Sequence, residues 1–143
     1  MKTLMTVLAL AVSTAACVRQ QVTPVSNVGS SLVVEQFLRA ANAKDLAAMS
    51  RLFGTKDGAV AGKWRKDEIE KRMFIISTEL MHEDFAITAE QIVPGRGDDA
   101  TKLTVKLRKE GRDYNVPFTL VRYRNESWLV EQIGIDVITN RRN

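Results

Sequence analysis

VVEQFLRAANAKDLAAMSRLF, residues 33–53, is the stretch whose reading decides the fold. Val34, Phe37, Leu38 and Ala41 recur at i, i+3, i+4 and i+7, the spacing of one apolar stripe on a helix. Ser30 or Ser31 can cap that helix, which is predicted over Ser31–Asn42. Asn42-Ala43-Lys44 breaks the pattern, and Asp45 is a good cap for a second, shorter helix with Leu46, Met49, Leu52 and Phe53 on its inner face. Gly54 supplies a stop. The stretch therefore reads as two helices bent about a corner.

After it, residues 54–62 (GTKDGAVAG) read as a loop, with room for a very short strand at Ala59-Val60. Ile69, Met73, Ile76 and Leu80 then mark a long helix over Lys66–Met81, widened by Phe74 and Met81. The period next changes from helical to two. Phe85, Ile87 and Ala89 alternate with Ala86, Thr88 and Glu90, and Leu103, Val105 and Leu107 alternate with Lys102, Thr104, Lys106 and Arg108. Val116, Phe118 and Leu120 open a third strand that runs to about Tyr123, and Trp128–Ile135 is a fourth. Turn clusters separate them at 94–99 (PGRGDD), around Gly111 and at Arg124–Ser127. Helices first and an antiparallel meander second make this an α+β chain.

That order, helix, helix, loop, long helix, four strands, resembles the NTF2-like (SnoaL-like) superfamily. The resemblance spans residues 31–138 and rests most on residues 33–53 and on the closing hairpin YRNESWLVEQIGI, residues 123–135. It implies a cone: two or three N-terminal helices packed against a curved antiparallel sheet of about four strands. Some NTF2-like enzymes, dehydratases and isomerases among them, hold a His or Asp in the cone as a general base. Many such domains pair through their sheet faces, so a homodimer is an open expectation.

The N-terminus reads as an address. Met1-Lys2-Thr3 is a positive start, Leu4–Val12 is apolar, and Ser13–Ala16 is small, the layout of an export signal. The apolar run would rise about 14 Å as a helix, under half of a bilayer core of about 30 Å. Thr14-Ala15-Ala16-Cys17 resembles the lipobox of bacterial lipoproteins, with Thr14 standing where an aliphatic residue is usual. The resemblance implies cleavage between Ala16 and Cys17 and acylation, palmitate included, of the Cys17 sulfur, with the lipid bilayer as partner. Simple secretion is the competing reading, because Thr14-x-Ala16 also satisfies a small-x-small cleavage site. Cys17 is the one cysteine in 143 residues, so no internal disulfide can form, and lipidation would account for an odd thiol in an exported chain. Val18 is not the Asp that holds some lipoproteins at the inner membrane, which favours the outer membrane of a bacterial cell envelope. The expected division is then a signal at 1–16, a lipidated cysteine and flexible tether at 17–30, a domain at 31–138 and a frayed tail at 139–143.

Composition narrows the function classes. Hydrophobic residues make up 45% and charged residues 27%, an ordinary globular mix. The formal charge of +4 is too mild to argue for nucleic acid. A single histidine, His82, excludes a two-histidine zinc motif. His82 and Asp84 are the candidate general bases, at the corner between long helix and first strand; the alternative for His82 is to ease the helix dipole there. Gly58–Lys63 fails as a phosphate loop, because its glycines are too close and Trp64 stands where Ser or Thr should be. Arg96-Gly97-Asp98 and Asn125-Glu126-Ser127 read as turns. No metal site and no cofactor are expected. Phe74, Met81, Phe85, Phe118, Tyr123 and Trp128 are the candidate pocket lining, with plain core packing as the competing reading. Basic residues cluster at Lys63, Arg65 and Lys66 and along Lys102, Lys106 and Arg108. The reading that results is a membrane-anchored, non-catalytic domain binding a small apolar ligand or an envelope protein.

Overall fold

The computed structural model describes residues 28–124 and 127–140. Cys17, the signal and the stretch to residue 27 lie outside the described residues, as do Asn125, Glu126 and 141–143.

The first helix, α1 (Val28–Asn42), buries Ser30, Val34, Phe37, Leu38 and Ala41 completely. It starts three residues before the predicted Ser31 and takes in the end of the expected tether. The reason is that Ser30 lies one turn before Val34 on the same stripe, and a polar residue does not register in an apolar pattern. Asp45 caps α2 (Leu46–Leu52) as predicted, its Oδ1 accepting the Ala48 N–H at 2.9 Å.

The expected loop after Gly54 is instead a tight hairpin, β1 (Gly54–Thr55) with β2 (Gly58–Ala59), followed by a 3-10 turn at Val60–Gly62. A Cβ on Gly54 would stand 2.3 Å from the Gly58 carbonyl oxygen, so the strands close only because residue 54 has none. The third helix, α3 (Lys66–Leu80), turns Ile69, Met73, Ser77 and Leu80 inward. Ser77 takes the fully buried place predicted for Ile76, its hydroxyl donating to the Phe74 carbonyl at 2.8 Å.

Four strands follow as a meander in the order β3 (Asp84–Ile92), β4 (Ala100–Lys109), β5 (Arg112–Tyr123), β6 (Ser127–Ile133), every pair antiparallel. Leu103, Val105, Leu107, Val116, Phe118, Leu120 and Val130 form the inner face, all with no exposure, and join the helices in one core. This is the predicted α+β arrangement, helices packed on an antiparallel sheet of four strands.

Two bulges change what alternation predicts. Thr88 is an extra residue in β3, so Ala89 pairs with Thr104 on the outer face while Glu90 pairs with Leu103. Glu131 is extra in β6, between the Leu120–Val130 and Thr119–Gln132 pairs. Phe53 adds a parallel bridge to Val130 and so brings the small hairpin alongside β6. The last strand ends at Ile133, before the predicted Ile135. Gly134 passes so close to Pro117 that a Cβ would meet the ring at 2.5 Å. A short helix, α4 (Asp136–Thr139), then buries Ile138 completely. Thr139, expected in a frayed tail, is its last residue.

Candidate functional site

The six aromatic and methionine candidates differ widely in burial. Phe118 is fully buried and Trp128 nearly so, both as core. Phe74 and Met81 stand at the surface, 52% and 43% exposed, with the Lys44 ammonium 5.6 Å from the Phe74 ring. Tyr123 is half-buried with the Arg124 guanidinium 5.2 Å from its ring, and Phe85 meets the His82 ring edge-on at 5.4 Å.

His82 follows the C-terminus of α3, and its hydrogen bonds explain its place. Its Nδ1 lies 2.8 Å from the Leu80 carbonyl, one of the orphan acceptors that every helix end leaves. That contact requires Nδ1 to carry the proton, so Nε2 is the acceptor for the Asn42 amide at 3.2 Å. Asn42 also donates to the His82 carbonyl and accepts its N–H, both at 3.0 Å. The end of α1 is thereby clamped to the end of α3. Lys109 completes the cap from below: it is 7% exposed, and its Nζ donates to the Thr78 and Glu79 carbonyls at 3.0 and 2.8 Å. The turn expected around Gly111 starts after Lys109, which is the last residue of β4. The signal for its inward place was available, since the inward period of Leu103, Val105 and Leu107 continues to residue 109.

Asp84 opens β3 in an exposed position opposite Arg108. Its neighbour Glu83 accepts the Gly111 N–H at 3.2 Å and lies 3.8 Å from the Arg108 Nε. Lys102, Lys106 and Arg108 lie along the outer face of β4, and Arg108 pairs in register with Asp84 and Asp113. The basic residues that open α3 meet acids: Arg65 pairs with Asp67 at 3.1 Å and Lys66 with Glu70 at 3.9 Å. Among the described residues no group of three His, Cys, Asp or Glu is placed to hold a metal ion.

Two grooves lie among the described residues outside these candidates. One, of about 200 Å³, is apolar and runs between Phe53, Trp64, Ile75 and Ile76, with the Arg72 guanidinium 4.6 Å over the Trp64 ring. The other, of about 620 Å³, is polar. It lies where the β1–β2 turn (Lys56, Asp57) faces the β3–β4 loop (Arg96, Asp99) and the strand residues Arg122 and Glu131. The bulge at Glu131 re-aims its carboxylate to take a two-pronged contact from Arg96, at 2.5 and 3.2 Å. That hydrogen bond, more than the nearby Asp99, raises the Arg96 pKa against the opposing effect of burial. Arg122 is different. Its guanidinium lies 5.0 Å from the Trp128 ring, and its Nε is buried with no hydrogen-bond partner.

No protein-family model matches the chain. No curated protein is significantly similar to it. A solved structure described as an NTF2-like protein of unknown function from Cytophaga hutchinsonii ATCC 33406 aligns over 68% of this chain and 84% of its own, with 11% identity and a TM-score of 0.38.

Proposed function

We propose that this chain is a bacterial cell-envelope lipoprotein, anchored through acylated Cys17, whose NTF2-like domain is a non-catalytic binding module. The anchor rests on the lipobox-like Thr14–Cys17 and the short apolar run before it. Among the described residues no helix is long and apolar enough to cross a membrane, and acylation would supply the attachment.

The binding reading rests on one observation: helices and sheet join their buried side chains in one core. Leu103, Leu107, Phe118, Leu120, Phe37 and Met73 are all without exposure and belong to one core, which supports packing there over a pocket lining. The enzymatic alternative, with His82 or Asp84 as base, has less in its support. Both His82 ring nitrogens are occupied, and Asp84 faces solvent. A general base needs a free lone pair within reach of the substrate proton. The apolar groove at Trp64 is small for a ligand, since about 200 Å³ falls below the roughly 300 Å³ at which ligand pockets begin.

Radiolabelled palmitate should enter the wild-type chain and not Cys17→Ser, and globomycin should block signal removal. Incorporation into Cys17→Ser, or none into wild type, would remove the anchor from the proposal. With the anchor in place, absence of Asp at Val18 favours the outer membrane.

A further inference from the structure

The polar groove at the β1–β2 turn carries three cations, Lys56, Arg96 and Arg122, against three carboxylates, Asp57, Asp99 and Glu131. Their commitments differ. Arg96 and Glu131 engage each other on two prongs, and Asp99 adds its charge to Arg96. Lys56 and Arg122 have no carboxylate within ion-pair distance among the described residues. The groove thus holds one closed ion pair and, beside it, two cations without a counter-ion.

Arg122 is the more telling of the two. A buried N–H with no acceptor costs about 1–3 kcal/mol, and native folds keep few of them. The guanidinium also rests 5.0 Å from the Trp128 ring, and Trp128 itself is 5% exposed and part of the core. The planar fork of a guanidinium matches a carboxylate. Lys56 stands exposed at the mouth, where its flexible ammonium can add attraction without geometric demand.

We propose that this groove binds a small molecule through a free carboxylate, seated on Arg122 and attracted by Lys56. The Nε itself is shielded from the groove, so the ligand's carboxylate oxygens would meet the terminal nitrogens of the Arg122 guanidinium, which are not among the buried atoms. A volume of about 620 Å³ lies inside the range of about 300–1,000 Å³ that small-ligand sites occupy. The equal numbers of cations and carboxylates create no strong field of one sign, which disfavours polyanions. Asp57, the carboxylate nearest Lys56 in sequence, suits a ligand that also carries an amino group, as a short peptide does. This inference deepens the binding-module reading and rests on it, but not on the anchor.

The test is a titration of the isotope-labelled full chain, in detergent, with tri-alanine and with tri-alanine amide, read at the arginine Nε–Hε resonance of Arg122. The free acid should give a saturating shift, and the amide should bind about tenfold more weakly or not at all. Arg122→Lys keeps the charge but removes the fork, and should weaken acid binding about tenfold. Lys56→Gln changes only an exposed side chain, so it cannot fail through misfolding; it should weaken binding about threefold and flatten its salt dependence. Equal titration by acid and amide would overturn the proposal. So would the absence of saturation up to about 50 mM, well beyond a specific small-ligand site, or acid binding unchanged in both variants. Palmitate labelling is indifferent to all of these, and crosslinking to an envelope protein in intact cells tests the binding-module reading separately. Failure of the ligand class is therefore distinguishable from failure of the module.

Discussion

His82 and Arg122 are both half-buried nitrogenous side chains set against an aromatic ring, and they differ in how their nitrogens are occupied. At the His82 corner the contacts mostly close backbone needs: Leu80, Thr78 and Glu79 carbonyls, and the N–H and carbonyl of His82. At the Arg122 groove a buried donor is left over. A residue whose bonding capacity is consumed by the fold is structural whatever its chemical reputation. A residue with capacity in reserve is available to something else. The bonds of the single histidine are taken up by its neighbours, while an arginine that no motif marks keeps a donor unmatched.

The sharpest way to break this contrast is at Lys109. Lys109→Met removes two charge-assisted bonds to the end of α3 and should lower stability by about 1.5–3 kcal/mol, measured by urea unfolding. A change near zero would mean that the corner is not held as described. Asn42→Ala should cost less, about 1 kcal/mol, because the clamp on His82 is partly solvated and water replaces some of it. Arg122→Met should have the smallest effect, and of opposite tendency. It exchanges the interaction with Trp128 for relief of an unsatisfied donor, so stability should hold or rise by up to about 1 kcal/mol. A large loss there would place Arg122 with His82 as a structural residue.

What was legible in the sequence follows the range of the forces involved. The α1–α2 corner is local: the stripe from Val34 to Ala41 and the Asp45 cap lie within a dozen residues, and the structure has both. The strands were legible because their burial alternates. The second half of β3 was not, since one extra residue at Thr88 inverts the faces without altering composition. The small helix α4 is too short for a period, and its one buried anchor, Ile138, looks like any isolated isoleucine. Arg122 and Lys56 were not singled out, because the groove joins segments far apart in the chain and no local pattern records the meeting.

The parallel bridge from Phe53 to Val130 has a consequence for the edges of the sheet. It covers part of the β6 rim, so the sheet's long uncovered margin is β3. A bare margin is a template on which a stray strand can crystallise into an aggregate. Here the extra residue at Thr88 interrupts the template, leaving Asp84–Ile87 and Ala89–Ile92 as two short runs out of step with each other. An incoming strand can match one run or the other, but a long continuous zipper along this side is denied to it.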